Sequence, residues 1–147
     1  MGIIRDVRYV VADNRCFPFP SGSMDTIVSI NSFVPESRAD VELMFHESMR
    51  VLRRGGCLVA LLPSFEMSLI ARDKWKMQVR LDLEDHREWE TSGWQCFYTE
   101  TDIHELMRKN RLPGYRLENC VFYPGRDQTY STGVWGQYSR NSRRAIR

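Results

Sequence analysis

Between Val7 and Pro63 the chain alternates apolar, β-branched runs with one amphipathic run, an order that few folds accommodate. Val7, Tyr9, Val10, Val11 and Ala12 form a β-prone run that stops at Asp13-Asn14. That is the pattern of a short buried parallel strand ending in a polar loop. "FPFPSGS" follows, with two prolines and a glycine within seven residues, and reads as loop and turn. Asp25 opens a second strand, Thr26 to Ile30, which Asn31-Ser32 ends. Ser37 with Asp40 three residues on has the form of a capping box. Val41, Met44, Phe45, Met49 and Leu52 then keep one helix face apolar, with Ser48 as the one polar intruder. Arg50, Arg53 and Arg54 suit the negative end of that helix, and Gly55-Gly56 supplies a left-handed stop. Cys57 to Leu62 is apolar throughout, so this third strand is expected to be covered on both faces. Strands alternating with such a helix argue for a mainly parallel α/β sheet.

From Ser64 the character changes. Ser64 caps an expected helix over 64–78. The stretch that follows, "RLDLEDHREWETSGWQCFY", is charged, aromatic and aperiodic, so 64–98 reads as an insertion or lid over the sheet edge. Thr99 with Asp102 makes another capping box, opening a short helix that carries Ile103, Leu106 and Met107 and ends near Arg111-Leu112. Tyr115 to Tyr123 and Ser131 to Tyr138 form an expected antiparallel pair around a turn at Pro124-Gly125. The tail, 139–147, has four arginines and no acid and reads as a frayed basic end to a single 147-residue domain.

Composition excludes some partners. A net charge of +2 gives no support to bulk electrostatic binding of nucleic acid. The longest apolar run, Cys57 to Leu62, is too short to span a bilayer. Cys16, Cys57, Cys96 and Cys120 contain no CxxC pair and read as reduced thiols of a cytoplasmic protein, not as a metal site.

Two segments resemble a known family. "VVADNRCFPFPSGSMDTIVS" is similar to the strand, acidic turn, proline loop and next strand of class I S-adenosylmethionine-dependent methyltransferases of type 11. "ESMRVLRRGGCLVALLP" and "YTETDIHELMRKNRL" resemble that family's later helices and fifth strand. The resemblance implies S-adenosylmethionine as cofactor. It implies that Asp13 accepts a hydrogen bond from the adenine amine and that the Asn14 N–H faces a ring nitrogen. Ser29 and Asn31 would lie near the methionine part or the methyl acceptor. From the residues alone, the simpler reading of Asp13 is a strand-end carboxylate bonding its own turn, and a turn-forming role is equally open for Ser29 and Asn31.

The family's first strand, its GxGxG loop and its second strand have no counterpart here. Gly55-Gly56 follows a helix and precedes a strand, the wrong order for cradling a ligand. The resemblance therefore implies a Rossmann-like sheet truncated at its N-terminus. Its third and fourth strands would be left roughly 14 Å apart at ~4.8 Å spacing. The expected remedy is that Val7–Ala12 moves in beside Thr26–Ile30, giving about five strands, mostly parallel, with the C-terminal antiparallel hairpin. A homodimer or a partner chain completing the sheet is the other expectation, since an open edge invites pairing.

Two functions follow. One is S-adenosylmethionine-dependent methyl transfer to an unidentified small or macromolecular acceptor, with no membrane partner. The other is a non-catalytic remnant that serves as a binding or assembly module. Trp75, Trp89, Trp94, Phe97 and Tyr98 crowd the insertion and could line an acceptor pocket or simply hold the lid down. His46 reads as a helix-surface residue, and His86 and His104 have no partner at metal spacing. Asp25 reads as ordering its loop. No catalytic residue is assigned, because methyl transfer needs alignment more than acid–base machinery.

Overall fold

The computed structural model describes residues 7–90, 93–110, 112, 114–122 and 131–139. Their main sheet has four strands: β1 (Met24–Ile30), β2 (Leu52–Pro63), β6 (Tyr115–Phe122) and β7 (Ser131–Ser139), in the order β1-β2-β7-β6. β1 and β2 run parallel, with Thr26 opposite Cys57 and Ile30 opposite Leu61. β7 returns antiparallel to β2, and β6 pairs antiparallel with β7. The class is thus α/β with a parallel pair and the expected terminal antiparallel hairpin. The turn expected at Pro124-Gly125 and the tail beyond Ser139 lie outside the described residues.

Val7–Ala12 forms no strand. Tyr9 is 91% exposed, Val11 is fully exposed, and β1 is left as the edge of a four-stranded sheet. The reason lies in the linker. Asp13 and Cys16 close a tight turn, and Arg15 reaches Asp40 at the start of the following helix. The buried Glu47 accepts the Phe17 N–H, and Arg50 donates to the carbonyls of Phe17 and Phe19. The segment between Val7–Ala12 and β1 is instead laid along that helix.

That helix, α1 (Arg38–Val51), is capped by Ser37, whose hydroxyl accepts the Asp40 N–H at 3.2 Å. Val41, Met44, Phe45 and Val51 are buried, as its periodicity requires. The intruding Ser48 is buried too, and it donates back to the Met44 carbonyl at 2.9 Å, so its hydroxyl is satisfied within the helix. The expected glycine stop is not used. The helix ends at Val51, Leu52 is its extended C-cap, and Arg53 to Gly56 already belong to β2. Between Met24 and Thr26 the β2 register jumps from Leu52 to Cys57, an irregularity carried by Gly55 at φ +78° and by Gly56. A Cβ at Gly56 would lie 2.8 Å from Leu52 Cγ and 2.9 Å from the Asp25 carbonyl.

The sheet is covered on one face. Leu58, Ala60 and Leu62 of β2 are buried against α1 and α3 (Glu100–Lys109), in one cluster with Phe45, Ile103 and Leu106. Cys57, Val59 and Leu61 are only partly buried, and Val28 and Ile30 of β1 stay 64% and 65% exposed. Coverage on both faces, expected from the apolar run, is therefore not found among the described residues. α3 opens with the expected capping box: Thr99 accepts the Asp102 N–H, and Asp102 accepts the Thr99 N–H.

In place of a helix to residue 78, α2 runs from Phe65 to Asp73. The stretch read as aperiodic folds into a small antiparallel sheet of β3 (Leu81–Asp82), β4 (Arg87–Glu90) and β5 (Gly93–Cys96). Ser64 bridges Tyr98, and the Tyr98 N–H donates to the Pro63 carbonyl, so this unit stands on the C-terminal end of β2.

Candidate functional site

Ser32, just past β1, contacts two of the four expected cofactor residues, Asn14 and Ser29; Asp13 and Asn31 adjoin them in sequence. Asn14 donates its amide to the Ser32 carbonyl at 3.2 Å, and the buried Ser29 shares a 2.6 Å hydroxyl contact with Ser32. Asn31 adjoins them in a left-handed conformation, φ +48°, while its N–H pairs with Leu61. Asp13 precedes Asn14 in the same tight turn. This cluster sits at the carboxyl end of a parallel strand, where open α/β sheets receive ligands.

Asp13 is not a free acceptor. Arg15 grips both of its oxygens, Nη2 to Oδ2 at 2.6 Å, and also donates its backbone N–H to Oδ1 at 2.8 Å. The Arg15 side chain and then its N–H lower the Asp13 carboxyl to about 2. Ser29 already has Ser32 as partner. Arg15 bridges Asp13 and Asp40, its Nη1 lying 3.1 Å from Asp40, so both Asp13 oxygens are occupied within the chain. The cluster offers no counterpart of a glycine-rich loop for the ribose and carboxylate end of the expected cofactor.

Beside Asn31 opens a cavity of about 370 Å³. Its wall is built by α2, by the segment after it and by the inner face of the β4–β5 pair. Met67, Trp75, Met77 and Phe97 give it apolar surface. Glu88 and Glu90, two apart on β4, present their carboxylates on one face, with Gln95 paired opposite Glu88. Trp89 and Trp94, on the other face, meet edge to face at 5.5 Å and hold Arg80 between them. Both readings of the aromatic cluster thus apply, to different residues. Trp75 and Phe97 line a pocket. Trp89 and Trp94 bind the unit together, while Tyr98 is buried and donates to the Phe33 carbonyl.

Burial raises the Glu88 carboxyl above its ordinary range, against the hydrogen bond that the buried Ser68 donates to it, and Glu90 adds to the rise. On the far side of the unit His86 Nδ1 lies 2.8 Å from Asp102. Burial there opposes the Asp102 charge, but Thr99, Arg38 and His86 together hold its carboxyl below the usual value. That cluster fixes the start of α3 and does not face the cavity. His46 is on the exposed side of α1, and Asp25 pairs with Arg53 beside the β2 irregularity. Cys16, Cys57 and Cys96 are free thiols. Among the described residues no group of three His, Cys, Asp or Glu side chains could hold a metal ion, and no helix is long and apolar enough to cross a membrane.

Sequence reasoning missed Glu88, Glu90 and Ser68. The available signal was the i, i+2 spacing of the two glutamates around Trp89, which on a strand puts both on one face.

Residues 2–60 match a family model described as a methyltransferase domain. No curated protein matches the chain. Among solved structures, the PH0226 protein of Pyrococcus horikoshii aligns with 91% of this chain at 20% identity and TM-score 0.65. A SAM-dependent methyltransferase of Methanosarcina mazei aligns with 89% at 16% identity and TM-score 0.60. The chain spans 59% and 66% of those two proteins' lengths.

Proposed function

Starting from a chain that has the class I S-adenosylmethionine-dependent methyltransferase fold, we propose that it binds S-adenosylmethionine at the carboxyl end of β1 and serves methyl transfer to an acceptor held under the 64–98 unit. The observation that carries this reading is that Asn14 and Ser29 both contact Ser32 at the carboxyl end of β1, with Asn31 beside them lining a cavity. Asp13 would accept the adenine amine, since an ionised carboxylate is an acceptor only. The Asn14 N–H would face the ring. Asn31, between the cluster and the cavity, would stand near the methionine part. The cofactor supplies an electrophilic methyl group on a sulfonium. The chain's part is to hold that group in line with an acceptor and keep water from the cavity.

Backbone amide spectra test this. S-adenosylmethionine should shift the Asn14, Asn31 and Ser32 resonances first. Shifts confined to the helices, or none, would remove the reading.

A second reading draws on a separate observation. Among the described residues β1 is an edge strand with Val28 and Ile30 exposed, and Val7, Tyr9, Val10 and Val11, earlier in the chain, are exposed too. A second copy or a partner chain that covered this edge would make the chain a binding or assembly module, with or without chemistry of its own.

A further inference from the structure

The cavity beside Asn31 has a composition that selects among acceptors. Its volume, about 370 Å³, is in the range of small-molecule sites, which run from about 300 to 1,000 Å³. Trp75, Phe97, Met67 and Met77 are among its apolar lining residues. Its charged groups are Glu88 and Glu90, and no lysine, arginine or histidine lines it among the described residues. An anion entering would meet two carboxylates, both repulsive to it. A neutral guest would leave the two carboxylates facing each other. A cation is favoured by both carboxylates, while the Trp75 and Phe97 rings that line the cavity suit an apolar body attached to it.

We propose that this cavity takes an amine carried on a small apolar body, and that such an amine is the acceptor: its nitrogen lone pair would form the N–C bond as the sulfonium S–CH3 bond breaks, with the neutral thioether S-adenosylhomocysteine leaving. The assignment of acceptor rests on the methyltransferase reading; the preference for a cation does not. Glu88 also has the placement of a proton acceptor. It sits on the cavity wall, oriented by the Ser68 hydroxyl. An ammonium guest gives one proton to the Glu88 carboxylate, leaving a neutral amine with its lone pair free and a carboxylic acid, which then returns the proton to water. Burial, which raises the Glu88 carboxyl, brings it closer to an amine in proton affinity.

Three isosteric probes test the proposal on the full chain without cofactor: phenethylamine, 2-phenylethanol and phenylacetate, followed by tryptophan fluorescence and calorimetry. Phenethylamine should bind at least about tenfold more tightly than the alcohol, the scale of one hydrogen bond to a charged group, and phenylacetate most weakly. Glu88→Gln with Glu90→Gln should erase the preference while leaving the circular dichroism spectrum unchanged. Glu90→Gln alone should already reduce it. Equal binding of amine and alcohol, no binding of the amine, or a preference that survives in the double variant would overturn the proposal. S-adenosylmethionine is titrated separately. Amine preference without cofactor binding leaves the cation site standing and removes the methyltransferase reading; cofactor binding without amine preference does the reverse.

Discussion

Arg15 holds the Asp13 carboxylate at 2.6 Å, so the residue expected to read adenine is already engaged by its neighbour but one. The hydrogen bonds from Arg15 lower the folded-state Asp13 value to about 2, against about 3.9 for an unperturbed aspartate. A depressed value means the contact favours the folded state above about pH 4 and that this contribution is lost as pH falls through about 2. Arg15→Ala should return the Asp13 titration, followed by carboxyl NMR, toward the ordinary value. Both side chains are half-exposed, so the thermal midpoint should hardly move. An unchanged titration would show that Arg15 does not set the Asp13 charge.

Glu47 and Arg50 tie the loop to α1. Glu47 accepts both the Phe17 N–H and the Arg50 guanidinium, and Arg50 reaches Phe17, Phe19 and Ser21. Glu47→Ala leaves the Phe17 N–H and Arg50 without that partner. Amide exchange at Phe17 and Gly22 should rise well before that of the α1 interior. Uniform exchange across loop and helix would contradict the tether.

What could be read from residues and what could not divides along physical lines. The α1 and α3 faces, both caps and the terminal hairpin follow from local signals: a 3.6-residue period, Ser37 and Thr99 as caps, alternation in 115–122. Position in the sheet is not local. Val7–Ala12 has strand composition but no strand beside it, because its linker is bound by Glu47 and Arg50 thirty residues away. Whether Cys57–Leu62 is covered on one face or two depends on segments that its own composition does not encode. Gly55-Gly56 was legible as a backbone irregularity, but as a helix stop instead of a register change inside β2. In the site, Asp13, Asn14, Ser29 and Asn31 could be named together only through the resemblance; Ser32, which links Asn14 to Ser29, and Glu88 with Ser68, which meet across α2 and β4, required the fold.

Gly56 has no room for a methyl group. The near contacts with Leu52 and the Asp25 carbonyl predict that Gly56→Ala overpacks the site and costs about 1–3 kcal/mol. A denaturant titration that shows no loss would mean that the β2 irregularity relaxes.

Ile103 is 1% exposed at the centre of the one-sided core. Ile103→Ala should destabilise by about 2–5 kcal/mol through lost transfer energy and the cavity left behind. A loss under about 1 kcal/mol would place the core elsewhere.

Val28, exposed on the free edge strand, is the position where self-association should be most sensitive. Val28→Lys introduces the charge that natural edges use against pairing. Sedimentation should show association of the parent chain and a monomer for the variant; monomers in both would remove the edge as an assembly surface.

Cofactor recognition at the end of β1 is open to calorimetric titration with S-adenosylmethionine. Saturable heat with a one-site isotherm is expected, weakened about tenfold or more by Asp13→Ala, the scale of one hydrogen bond to a charged group. No heat with ligand on the order of millimolar, or an isotherm that Asp13→Ala leaves unchanged, would contradict it.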